Sequence, residues 1–155
     1  MRPTIPLGPW RLAIDLAATR AVNALDVHPA RGCTCEDCQR WAQLHDTLLP
    51  STLAEELRRI GIDPALPSDT YGTDSIRVTY HCVGRILSGP PELSSESGAG
   101  RHYESLTEKP GEVALAVAYQ ASIAPAPPAW ATAELQPLIA IDFWFLGRRS
   151  RAQGR

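Results

Sequence analysis

The sequence predicts a single α+β domain, an antiparallel sheet of about four strands with a short helical hairpin packed on one face. Three observations predict it. Apolar and polar residues alternate over 76–87, 113–123 and 138–146, the period of a strand with one buried face. Two stretches, about 34–48 and 52–60, carry apolar residues at helical spacing and are separated by little more than Pro50. The clear strands follow the helices and are joined by turn-rich segments, which favours antiparallel over parallel pairing. The chain of 155 residues, 44% hydrophobic and 21% charged, has enough core for one domain. The domain is expected over 1–147, with a basic tail at 148–155.

Residues 1–9 carry three prolines and a glycine and read as an extended lead-in. Trp10, Leu12, Ile14, Leu16 and Ala18 then alternate with other residues, as in a strand. Trp10, Ile14, Ala17, Ala21 and Leu25 also fit a helical stripe, so a helix competes for the same residues. After a loop around Pro29 and Gly32, Thr34 is a candidate helix cap with Asp37 three residues on. Cys35, Cys38, Trp41, Leu44 and Leu48 form one stripe of that helix. Thr52 with Glu55 resembles a capping box, Leu53, Leu57 and Ile60 give the second helix its apolar face, and Gly61 its C-terminal cap. Residues 63–72 read as a loop. In the strand from Ile76 to Leu87, Ile76, Val78, Tyr80, Cys82 and Ile86 share one face, and Arg77, Thr79, His81 and Arg85 the other. Residues 88–111, rich in Gly, Pro and Ser, read as a long mobile loop. In 113–123, Val113, Leu115, Val117, Tyr119 and Ile123 oppose Ala114, Ala116, Ala118, Gln120 and Ser122. In the last strand Ile139, Ile141, Phe143 and Phe145 oppose Asp142 and Trp144.

Charge and hydropathy exclude several classes. A net charge of −2 argues against nucleic acid as a partner, since phosphate binding needs a basic field. No stretch has the length of a membrane-spanning helix, and the first residues lack the apolar segment of a secretory signal. The expectation is a cytoplasmic protein in a reducing compartment, where disulfides are not formed.

The strongest chemical signal is Cys33-Thr-Cys-Glu-Asp-Cys38, a C-x-C-x-x-C pattern. Thiolates are soft, charged donors that bind zinc or iron–sulfur clusters. Such sites usually take four ligands, and the fourth would come from His28, His45, His81 or Cys82. Cys82 is the best of these, because it shares the apolar strand face that meets the helix, whereas His81 points away. Two other accounts stand beside metal binding. Cys35 and Cys38 can be small hydrophobes packed under Trp41. A cysteine near a helix N-terminus can also be a reactive thiol.

With C-x-C-x-x-C-x-x-W, then Leu57 to Asp63 as LRRIGID, then Tyr80-His-Cys-Val-Gly84, the chain resembles an uncharacterised family of small bacterial proteins. In that family the pattern runs C-G-C-x-x-C-x-N, a helix ending L-G-I-D-P, and an aromatic strand ending G-x-I. The resemblance spans roughly residues 10–90. Thr34 stands where the family has glycine and Trp41 where it has asparagine, so a role for that asparagine is not carried over. No activity is established for the family, and the resemblance implies a layout rather than a function.

A second candidate site lies on the sheet face away from the hairpin. Alternation puts Arg77, Thr79, His81 and Arg85 there, with Asp142 and Trp144, Gln120 and Ser122, and Asp15 from the first strand. Antiparallel sheets commonly leave such a face wet. A trough floored by Ala114, Ala116 and Ala118, walled by Trp144 and edged by Arg77, His81 and Asp142, would instead suit a small anionic ligand. It would equally suit a partner's loop or the seam of a homodimer. No G-x-S-x-G, P-loop, dinucleotide fingerprint or H-E-x-x-H is present. Three function classes follow. The first is an accessory or partner-binding protein with a zinc-binding cysteine cluster. The second is a thiol-dependent enzyme or redox sensor. The third is a ligand binder or enzyme around His81.

Overall fold

The computed structural model describes residues 2–25, 33–71, 75–93, 101–106, 113–123 and 137–145. The basic tail at 148–155 lies outside them, as does His28. Seven strands form one curled antiparallel sheet: β1 (Thr4–Leu7), β2 (Trp10–Ile14), β3 (Asp69–Tyr71), β4 (Ile76–Ser88), β5 (Glu104–Ser105), β6 (Val113–Tyr119) and β7 (Leu138–Phe145). Among the described residues four helices accompany them: α1 (Leu16–Ala24), α2 (Glu36–Leu48), α3 (Ser51–Ile60) and the single turn α4 (Gln120–Ile123).

The sheet is larger than the four-stranded one the sequence predicts, although the α+β mixture holds. The four strands read from alternation correspond to β2, β4, β6 and β7. The three others lie in segments that read as lead-in or loop. Each is two to four residues long, too short to show a period, and is held in place by its longer neighbour. The order is β1-β2-β4-β7-β6-β5, with β3 also paired to β4. Pro6 sits in β1 at the sheet's edge, where its missing N–H matters least.

Strand and helix both claim residues 10–25, in succession. The chain switches at Asp15, whose carboxylate accepts the Ala18 N–H at 3.0 Å and caps α1. Helix α2 is capped one residue later than Thr34: Cys35 Sγ accepts the Cys38 N–H at 3.4 Å. Helix α3 opens on Pro50, preset to a suitable φ, with no side-chain cap where Thr52 and Glu55 suggest one. Gly61 ends α3 at φ +97°, a conformation that costs glycine little.

The α2–α3 hairpin packs where expected. Trp41, Leu48, Leu53, Leu57 and Ile60 join Val78, Tyr80, Leu115, Ile141, Phe143 and Phe145 in one core. Trp41 is 1% exposed and lies against Phe145 at 5.4 Å between ring centroids. The carbonyl of Pro64 accepts both Trp41 Nε1–H at 3.0 Å and Tyr80 Oη–H at 2.6 Å, tying α2 and β4 to the loop after α3.

One edge of β4 is built from three pieces. β3 pairs with residues 77–79 and β2 with 84–88. Between them α1 supplies side chains in place of a strand. Thr19 Oγ1 accepts the Val83 N–H at 2.9 Å, and Asn23 Nδ2–H donates to the His81 carbonyl at 3.1 Å. Gly84 is required where β2 crosses: a Cβ there would meet the Ala13 carbonyl oxygen at 2.1 Å.

Candidate functional site

The cysteine cluster sits where the chain enters α2. Cys35 is the N-cap and Cys38 lies in the first helical turn, so the cap geometry itself folds the two sulfurs together. Cys33, just upstream, places its Sγ 3.1 Å from that of Cys35. All three sulfurs lie within 4.8 Å of one another. A tetrahedral edge at a zinc–sulfur bond of about 2.3 Å measures roughly 3.8 Å, so small side-chain rotations would bring all three onto one ion. The donor set fits a soft divalent ion of the zinc class.

Neighbouring groups differentiate the thiols. Hydrogen bonding from Cys38, and then from Cys35, holds the exposed Cys33 below the ordinary thiol range. Burial pushes the Cys38 thiol up to about 12, against the Thr70 hydroxyl that lies 3.3 Å from its sulfur. Arg40 pairs with Glu36 at 3.1 Å and Asp37 at 3.8 Å, keeping its charge on the helix surface rather than on the thiols. Beside Cys33 and Cys38 a cavity of about 160 Å³ opens, lined by Gln39, Ala42, Ala65, Leu66 and Pro67.

Cys82, expected as the fourth ligand, does not belong to this group. It lies fully buried on β4 opposite Ile139, and burial raises its thiol well above the usual range. The strand phase that favours Cys82 is the one observed, but the cluster meets the sheet elsewhere, at the unforeseen strand β3, where the Cys38 sulfur lies against Thr70. His45 lies beside Asp46 at 3.3 Å, and His81 Nε2 lies 2.8 Å from Gln120 Oε1. Among the described residues the cluster of metal-type donors is the three thiols alone.

The second sheet face carries the polar residues that alternation assigns to it, under cover. Registers Arg77↔Trp144, Thr79↔Asp142 and His81↔Ala140 set these side chains in rows across β4 and β7. Asp142 is 1% exposed, Thr79 6% and His81 5%. Asp142 accepts hydrogen bonds from the Thr79 hydroxyl at 2.5 Å, from Arg101 Nη1 at 2.6 Å and from the Tyr103 hydroxyl. Burial first, and the Asp142 charge second, push the Tyr103 hydroxyl far above its ordinary range. The Arg77 guanidinium lies 4.0 Å over the Trp144 ring, and Trp144 Nε1–H donates to Ser75 at 2.5 Å. Trp144 is half-buried.

Of the remaining candidates, Arg85 is exposed beside Ala13 of β2. Asp15 is the α1 cap, and Gln120 and Ser122 fall in α4 rather than in a strand. Sequence reasoning misses Thr70, Arg101 and Tyr103. The last two belong to the stretch expected as a mobile loop, where 101–106 instead covers the sheet and contributes β5.

Comparison with family models, with curated proteins and with solved structures finds no match to the chain. No described helix is long and apolar enough to cross a membrane.

Proposed function

We propose that this chain is a small accessory protein, binding rather than catalytic in role, whose Cys33–Cys35–Cys38 cluster takes up zinc. The observation that carries the reading is the convergence of three sulfurs within 4.8 Å at a helix cap, one of them anchored to β3 through Thr70. Bound there, the ion would fasten the segment entering α2 to the start of that helix. Each thiol must shed its proton on binding, so affinity rises with pH. The exposed position of Cys33 and Cys35 beside acidic Glu36 and Asp37 suits an interaction surface for a protein partner.

Metal content decides the matter. Protein purified without chelator is expected to carry close to one equivalent of zinc. Less than roughly a tenth of an equivalent, with none taken up on titration, would end the reading. A second reading is favoured by the 3.1 Å approach of the Cys33 and Cys35 sulfurs, which suits a thiol redox role. Peroxide-dependent loss of two thiols in protein that binds no zinc would support it instead.

A further inference from the structure

We infer that an ion held by Cys33, Cys35 and Cys38 keeps its fourth coordination position open toward the adjoining cavity, and that this position receives a small organic thiol with an apolar body. The inference rests on the zinc reading above and deepens it.

The first support is the donor count. Among the described residues no fourth metal-type donor joins the three sulfurs. Cys82, which could close the tetrahedron from the chain's own core, lies fully buried on β4 and outside the group. Where the three sulfurs are the whole protein donor set, one position is left for an exogenous molecule; His28, outside the described residues, is the chain's own alternative, and a cobalt site indifferent to added thiol is the outcome it predicts.

The second support is the cavity. Cys33 and Cys38 line it, so an ion between the sulfurs borders the space. Its volume of about 160 Å³ is close to that of an apolar cavity able to hold benzene, so a ligand of roughly six heavy atoms fits.

The third support is chemical. Ala42, Ala65, Leu66 and Pro67 offer an apolar wall, with Gln39 the one polar side chain among the lining residues that are not cysteines. A carboxylate would set a strongly hydrated charge against that apolar wall and offer the ion a hard donor. A trithiolate ion prefers a soft donor, and sulfur is the soft donor whose carbon substituent would suit these walls. Binding is a ligand exchange without redox change. The metal–water bond breaks, the metal–sulfur bond forms, and the thiol proton passes to solvent.

The experiment loads the protein with cobalt(II), whose absorption reports thiolate number and geometry, and titrates 1-propanethiol, with imidazole and 1-propanol as controls. Propanethiol is expected to raise the sulfur-to-cobalt band saturably by about a third, as three metal–sulfur bonds become four, while propanol does nothing. Ala42→Trp, at an exposed helix position that borders the cavity, should retain cobalt and lose propanethiol uptake by at least tenfold. Ala65→Phe, at a second lining residue from the loop after α3, should do the same. Failure of cobalt to bind overturns the zinc reading and this inference together. Cobalt bound with three thiolates but indifferent to propanethiol overturns this inference alone, as do removal of the cobalt by the thiol, a response to imidazole only, and unchanged uptake in both variants.

Discussion

At the start of α2 three thiols converge at the surface, two of them exposed, beside a cavity. On the far face of the sheet three donors converge on Asp142, a carboxylate 1% exposed, and leave no room around it. The thiols come from one six-residue stretch and the donors around Asp142 from separate segments, and the thiols are the more accessible of the two groups. Thr79, Arg101 and Tyr103 supply Asp142 with the hydrogen bonds that a buried charge requires, so the group is spent on holding 101–106 against the sheet. The thiols bond to one another, accept one backbone N–H and touch Thr70, and two of the three stay exposed. Convergence alone does not make a binding site; the accessibility of the converging donors is what separates the two clusters.

The contrast can be broken at several points. Trp41→Ala should bring the largest loss, about 3–5 kcal/mol in denaturant unfolding. It empties the core one turn beyond Cys38 and removes a hydrogen bond to Pro64. A loss under about 1 kcal/mol would mean that the thiol region has no rigid base. Asp142→Ala should cost roughly 3 kcal/mol by the same measurement, since it strands Arg101 and Tyr103. A near-neutral result would make the Asp142 cluster as open as the thiol cluster, and erase the distinction. Cys33→Ser should leave metal-free stability within about 0.5 kcal/mol. Its zinc affinity, measured by competition with a chelator, should fall by more than the 10–100-fold typical of outer-shell changes. Thr70→Val should sharpen the picture, weakening zinc about tenfold through loss of the hydroxyl beside Cys38.

The smallest effect is expected at Asp69, at the start of β3. Burial, partly offset by a bond from the Thr70 backbone, raises its pKa above the ordinary 3.8, and Asp142 adds to the rise. A carboxyl whose folded-state pKa is raised favours folding in its protonated form. Its penalty therefore grows as pH climbs from the ordinary value through the raised one, and is complete at neutral pH. Asp69→Asn should accordingly be slightly more stable than the parent at pH 7. The gain should vanish below about pH 3.8 in a series of thermal melts. A gain independent of pH would place its cause elsewhere.

How far the sequence foretold these regions follows from the length of each signal. Strands β4, β6 and β7 run for seven residues or more, enough for alternation to mark both faces, and the side chains of Asp142 and Trp144 lie on the face it assigns. Burial of that face was not legible. Its cover comes from Arg101 and Tyr103, set in a stretch rich in Gly and Ser without period. The meeting of Cys35 and Cys38 was legible because one helical turn joins them. The contact the cluster does make with the sheet was not legible, because Thr70 lies in β3, three residues whose pairing with β4 leaves no mark in their own sequence. Residues 10–25 carry two periods because Trp10, Ile14 and Leu16 serve a strand and a helix in turn.

The edge of β4 closed by Thr19 and Asn23 bears on which strand edges the fold leaves open. A strand edge with open N–H and C=O groups is a template for another chain. At residues 81–83 that template exists in the protein's own interior and is silenced by two polar side chains rather than by a ladder. Until α1 has docked, the edge stands open between β2 and β3. A variant that loses both side chains, Thr19→Val with Asn23→Leu, should therefore expose this edge and associate more readily than the parent in light scattering.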